Sequence, residues 1–124
     1  VLELYFDGGC KPNPGKMEVA VTVTGSNKYL YEKIGMGTNN EAEWIALLLT
    51  VDHAISLNAK DVTIRGDSKL IINQAKHEWK CKDTKLKKYL DEYDRLATYF
   101  DTITLEHVLR DENPAGMLIE TLNK

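Results

Sequence analysis

Residues 1–9 read Val1-Leu2-Glu3-Leu4-Tyr5-Phe6-Asp7-Gly8-Gly9, in which Leu2, Leu4 and Phe6 alternate with Glu3, Tyr5 and Asp7. A period of two marks a strand with two unlike faces, and Gly8-Gly9 predicts its end, leaving Asp7 at the carboxyl end of the strand. The alternation returns at Met17, Val19, Val21 and Val23. Gly25-Ser26-Asn27 then turns the chain, and Tyr29 to Met36 reads as a third strand. These three segments predict an antiparallel meander.

Beyond the meander the period changes. Thr38 opens a helix in which Ala42, Ile45, Ala46, Leu49 and His53 recur at helical spacing, and Val62-Thr63-Ile64 is a short strand ending at Gly66-Asp67. Ser68 to Trp79 and Thr84 to Phe100 read as two further helices, Ile103 to His107 as a last strand, and Asn113-Pro114 as the cap and first turn of a closing helix. The predicted order is βββαβααβα. A meander followed by strand–helix alternation implies an α/β fold with a mixed sheet, parallel later strands and helices packed on its faces.

The sequence of 124 residues suits one domain, residues 1–124, and is too short for two ordinary ones. No apolar run has the length of a membrane span, and Val1–Phe6 reads as a strand rather than a signal peptide. A monomer in the cytoplasm, away from membranes, is the expectation. Cys10 and Cys81 make no disulfide framework, and three scattered histidines lack metal-ligand spacing, which argues against zinc. The net charge is −3, but Lys76 to Lys88 holds six lysines against Glu78 and Asp83, a local +4. A basic patch on an acidic body suits a phosphate backbone, and it equally suits a solvated helix start.

Three acids stand out. Asp7 and Asp67 close two strands, and in open α/β sheets the crevice beyond such ends is where ligands sit. Glu43 lies in the first turns of the Thr38 helix. Glu41 has the capping-box spacing from Thr38, whereas Glu43, rotated about 200° from it, is not explained by capping. Clustered carboxylates persist where they hold a cation or share protons, and all-oxygen ligation selects hard ions such as Mg²⁺ or Mn²⁺. Each acid also has a plain structural reading, with Asp7 starting a turn and Asp67 capping the Ser68 helix.

The words around these acids are Asp7-Gly8-Gly9-Cys10-Lys11-Pro12-Asn13-Pro14-Gly15, Thr38-Asn39-Asn40-Glu41-Ala42-Glu43 and Gly66-Asp67-Ser68-Lys69-Leu70. They are followed by Asn73-Gln74, then Glu78 to Asp83, then His107-Val108-Leu109-Arg110-Asp111-Glu112-Asn113. In this order, over essentially the whole chain, they resemble the ribonuclease H family of type 1, in its compact form without a long basic insertion. The resemblance implies a five-stranded mixed sheet with helices on both faces. It also implies an endoribonuclease that cuts the RNA strand of an RNA/DNA hybrid with two divalent ions, Mg²⁺ or Mn²⁺, and produces 5′-phosphomonoesters.

Asp7, Glu43 and Asp67 are then the catalytic, metal-binding carboxylates. The backbone near Gly8, Gly9 and Cys10 and the side chain of Glu43 read RNA 2′-hydroxyls, and Asn39 and Asn40 lie in the minor groove. Thr38 meets a DNA phosphate, and Asn13 and Arg110 belong to the same nucleic-acid-binding surface. Trp79 packs on the DNA strand while Lys80, Lys82 and Lys85 contact phosphates. His107, on a strand, reads as packing or surface, and Cys10 as a small loop residue rather than a nucleophile.

One departure bears on function. The family commonly carries a fourth carboxylate in the closing helix, and counting from Arg110 and Asn113 places Met117 there. A thioether does not suit Mg²⁺. Glu120, Asp111 and Glu112 are the candidate substitutes, and the alternative function is a hybrid-binding scaffold with weak or lost catalysis. An unrelated metal-dependent phosphatase fits less well, because a small-substrate site has no use for Asn39-Asn40 or the basic patch.

Overall fold

The computed structural model describes residues 1–123. Its elements are β1 (Leu2–Cys10), β2 (Gly15–Val23), β3 (Tyr29–Gly37), α1 (Asn39–Ser56), β4 (Asp61–Gly66), α2 (Lys69–Ala75), α3 (Thr84–Ala97), β5 (Thr102–His107) and α4 (Pro114–Leu122), with a 3₁₀ turn at Arg110–Glu112 before α4. The order is the one expected. The five strands form one sheet, β3-β2-β1-β4-β5. β1 to β3 are antiparallel, while β1, β4 and β5 run parallel.

Alternation along β1 is what divides the core. Leu4 and Phe6 are fully buried with Val19 and Val21 of β2, under Trp44, Leu47 and Val51 of α1 and Ile71 and Ile72 of α2. α3 closes that side with Leu86, Leu90, Tyr93 and Leu96, spaced three or four apart along one stripe. The other face of the sheet is covered by α4, where Ala115 and Ile119 pack on Ala20, with Tyr5 and Tyr31 alongside. Helices therefore lie on both faces.

Element boundaries differ from the sequence reading where tertiary partners intervene. β1 does not stop at Gly8-Gly9, because β2 pairs with it through Gly8↔Val19 and on to Cys10↔Met17. β2 accordingly begins at Gly15 rather than Met17. α2 ends at Ala75, not Trp79. His77 adopts a left-handed conformation (φ 60°), and the backbone N–H groups of Glu78 and Trp79 both donate to the Asn73 carbonyl, ending the helix early. α3 likewise ends at Ala97 rather than Phe100.

No helix among the described residues is long and apolar enough to cross a membrane.

Candidate active site

The parallel register brings two of the acids together. Tyr5 of β1 pairs with Arg65 of β4, and Asp7 and Asp67 both lie two residues further on. Alternation keeps Asp7 on the face of Tyr5. Glu43 reaches the same place from the first turns of α1, whose N-cap is Thr38, its hydroxyl accepting from the Glu41 backbone N–H at 3.2 Å. The helix can come this close only because Gly8 has no side chain: a Cβ there would lie 2.2 Å from the Ala42 carbonyl oxygen. With α1 seated on β1, the Gly8 N–H donates to Glu43 Oε1 at 2.7 Å. One carboxylate oxygen from each of Asp7, Glu43 and Asp67 then falls within 4.8 Å of the others.

These acids line an open cleft of about 750 Å³, with Gly8 to Lys11, Asn39, Asn40, Arg110 and Glu120. Asp7 and Glu43 are buried, and burial pushes the Asp7 carboxyl up to about 6 against the pull of Arg110. Burial first, then the charges of Asp7 and Asp67, hold Glu43 well above the usual carboxylate range. Two buried carboxylates this reluctant to ionise, beside a third, are short of positive charge, which a small divalent cation supplies. The donor set therefore fits a small, hard divalent cation.

Several groups brace the acids. Asn113 is fully buried, and its Oδ1 accepts from the Ala115 N–H as the α4 cap. Its Nδ2 donates to the Phe6 carbonyl at 2.9 Å and to Asp67 Oδ2 at 2.8 Å, so one side chain ties β1, Asp67 and α4 together. The sequence signal for Asn113 was that of a cap alone. His107 is exposed, and its Nε2 lies 3.2 Å from the Asp67 carbonyl oxygen beside the site. Asp67 does not cap α2. That place is taken by Ser68, whose hydroxyl accepts from the Ile71 N–H.

The loop between β1 and β2 is stitched to the start of α1. Asn39 Oδ1 accepts from the Cys10 N–H at 2.8 Å, and Asn13 Oδ1 accepts from the Asn39 N–H at 3.1 Å and from the Cys10 thiol. The N–H groups of Gly8 and Cys10 are thus already engaged within the protein. Asn39 and Asn40 line the cleft beside Glu43. Beside this loop a second polar cleft is lined by Asn13, Thr38, Asn39, Asn40, Glu41, Asp83 and Lys85. Here Glu41 reaches back to Thr38 as its spacing predicts, its Oε1 accepting from the Thr38 hydroxyl at 3.5 Å. Its carboxylate accepts from the Tyr89 hydroxyl at 3.3 Å and pairs with Lys85 Nζ at 3.7 Å.

The remaining expected site residues are dispersed. Trp79 is exposed beyond the end of α2. Lys80 and Lys82 are exposed with it and make no ion pair among the described residues, whereas Lys85 is tied to Glu41. Arg110 is not a free nucleic-acid contact. Its Nη1 donates to Asp7 Oδ2 at 2.7 Å and to Asp67 Oδ2 at 3.2 Å. Met117 is half-exposed and lines a different groove, with Tyr5 and the turn between β2 and β3. On α4 it is Gly116 that meets Arg110, and Glu120 that lines the cleft. Glu112 Oε1 accepts from the Leu109 N–H within the 3₁₀ turn, and Asp111 is exposed on that turn.

Comparison with known proteins agrees with this arrangement. A sequence family described as reverse transcriptase-like matches residues 5–118. Ribonuclease HI of Halobacterium salinarum is 35% identical over 113 residues, which is 88% of this chain and 57% of that protein. The chain thus spans little more than half the length of that relative. The crystal structure of RNase H1 from Halobacterium salinarum superposes with a TM-score of 0.90 at 30% identity, over 98% of this chain and 97% of that one. The crystal structure of LC11-RNase H1 in complex with an RNA/DNA hybrid superposes with a TM-score of 0.88 at 25% identity, over 100% of both chains. With the match running through all five strands and the closing helix, this chain belongs to the ribonuclease H family of type 1.

Proposed function

We propose that this chain is an endoribonuclease that hydrolyses the RNA strand of RNA/DNA hybrids. The observation that carries the reading is the convergence of Asp7, Glu43 and Asp67 within 4.8 Å at the open end of the parallel strands. A divalent ion, Mg²⁺ or Mn²⁺, would be held by these three carboxylates and would supply the Lewis acidity for attack of water on the scissile phosphate. The chain's own groups do the rest. Asn113 and His107 hold Asp67 in place, and Gly8 holds Glu43. The amides of Asn39 and Asn40, on the cleft beside Glu43, would face the minor groove, where 2′-hydroxyls distinguish RNA from DNA.

Thr38 and Lys85, together in the polar cleft, suit a phosphate of the DNA strand, since a helix amino terminus and an ammonium both attract anions. Trp79 with Lys80 and Lys82 extends this contact along the same strand. A monomer suffices for this reading, because all three carboxylates come from one chain. The partner is the hybrid found on LC11-RNase H1.

The second reading, a hybrid-binding domain without chemistry, is favoured by one observation: among the described residues, the metal-compatible cluster contains three acids and none from α4. Incubation with a labelled hybrid and Mg²⁺ or Mn²⁺ separates the two, with single-stranded RNA, duplex RNA and duplex DNA as controls. Internal cuts in the RNA strand with 5′-phosphate and 3′-hydroxyl ends are expected. Binding of hybrid with no cleavage in either ion would overturn the enzymatic reading.

A further inference from the structure

Among the described residues, Arg110 is the cation in direct contact with the carboxylate cluster, and α4 receives it at Gly116. Nη1 bridges Asp7 Oδ2 and Asp67 Oδ2, while Nη2 lies 3.5 Å from Glu120 Oε1. The guanidinium rests on Gly116. A Cβ at that position would stand 2.8 Å from Nη1 and 2.9 Å from Cζ. A side chain at 116 would therefore make the guanidinium, the far end of a flexible side chain, shift by a few tenths of an ångström. The glycine and the arginine fit each other as a pair.

We propose that Arg110, seated on Gly116, is a built-in cation on the α4 side of the site, so that the chain binds one divalent ion rather than two. The inference rests on the ribonuclease reading for the identity of the cluster as a metal site. It also accounts for a metal-compatible cluster that, among the described residues, takes no acid from α4, Glu120 facing the guanidinium instead. A carboxylate on that turn would serve to hold an ion, and here a permanent positive charge already satisfies Asp7 and Asp67 on that side. A guanidinium presents planar, paired donors suited to a phosphate and cannot be deprotonated in water. It neutralises charge without ionising a water molecule as a divalent metal does. The ion at Asp7, Glu43 and Asp67 is consequently bound against a neighbouring positive charge.

The test is calorimetric titration of the full chain with Mn²⁺, which needs no substrate, on wild type, Arg110→Gln, Arg110→Lys and Gly116→Ala. The expected result is one Mn²⁺ per chain in wild type. Removing the charge (Arg110→Gln) should tighten that site by about tenfold, from the loss of a like charge close by, and shifting it (Gly116→Ala) should tighten the site by less. Arg110→Lys, which keeps the charge, should stay near wild-type affinity. Thermal melts establish that each variant is folded, and Gly116→Ala and Arg110→Gln serve as independent routes to the same outcome. Two Mn²⁺ bound in wild type, or equal affinity across all four proteins, would overturn the proposal. Absence of cleavage with one ion bound and the expected shifts present would instead count against the ribonuclease reading while leaving Arg110 as the built-in cation.

Discussion

The carboxylate corner and the lysine-rich segment from Lys76 to Lys88 are the two strongly charged regions of the molecule, and they are built in opposite ways. Asp7 and Glu43 are buried, and each acid is held through regular elements: β1, the first turns of α1, and the end of β4 with the α4 cap Asn113. Trp79, Lys80 and Lys82, by contrast, stand exposed on the stretch between α2 and α3. Lys87 is paired with Asp91 and Lys76 with Glu78, which spends part of the local charge. A reaction centre must hold atoms to within fractions of an ångström, whereas attraction to a phosphate backbone depends on charge density and tolerates loose geometry. The contrast predicts that substitutions in the corner act steeply and that those in the segment act gradually.

The steepest effect is expected for Asp67→Asn. Cleavage of the hybrid should fall by about a thousandfold, because an electrostatic contact is lost at the reacting centre. The far-ultraviolet circular dichroism spectrum should be unchanged, since an amide keeps the shape and can still accept from Asn113. A turnover rate equal to wild type would remove Asp67 from the corner.

Next comes Gly8→Ala, which tests whether the corner depends on the contact between α1 and β1. The added methyl meets the Ala42 carbonyl at 2.2 Å, so α1 must shift or β1 must bend. Urea denaturation should show a loss of about 3 kcal/mol, the upper range for overpacking. Unchanged stability would mean that the helix yields freely and that Glu43 is not rigidly placed.

Protonation gives a third, smaller effect that the lysine segment should not share. Asp7 has its pKa raised from 3.8 to about 6 in the folded protein, so the native state binds this proton more tightly than the unfolded chain. Stability from this group is complete below the unfolded value and is lost as pH rises through about 6. Without divalent ion, stability should decline between about pH 4 and pH 7, and Asp7→Asn should flatten the decline. Saturating Mn²⁺, which binds the ionised carboxylates, should reverse its sign. Parallel pH profiles with and without the ion would contradict the assignment.

The gentlest change is expected for Lys80→Gln with Lys82→Gln. Hybrid affinity should drop by about tenfold at moderate salt, and the slope of its logarithm against that of salt should shrink by about two, one per lost phosphate contact. Lys85→Gln should add less, because its ammonium is already shared with Glu41. An unaltered salt slope would leave the segment as a solvated surface only.

Much of this arrangement was legible in the chain itself. The period-two runs, the Gly25-Ser26-Asn27 turn, the Thr38 cap and the Asn113-Pro114 helix start are local signals, and local backbone preference decides them. They suffice for the element order, and with the strand-end positions of Asp7 and Asp67 they mark the edge where the acids meet. Boundaries set by partners were not legible. β1 runs through Gly8-Gly9 because β2 supplies the missing hydrogen bonds, and α2 stops at Ala75 because His77 turns left-handed and pairs with Asp94 of α3 at 2.8 Å.

The closing helix shows the division most clearly. Counting along the sequence places Met117 at the position where the family carries its fourth acid. Only the packing of Ala115 and Ile119 on Ala20 fixes which way α4 is rotated, and that rotation turns Met117 toward another groove and Gly116 toward Arg110. The sequence by itself determined which residue types were available and on which elements they lay. The tertiary structure alone decided that Arg110 would lie on the acids and that Asn113 would join β1 to Asp67, because both contacts span more than forty residues and depend on how helices seat against the sheet.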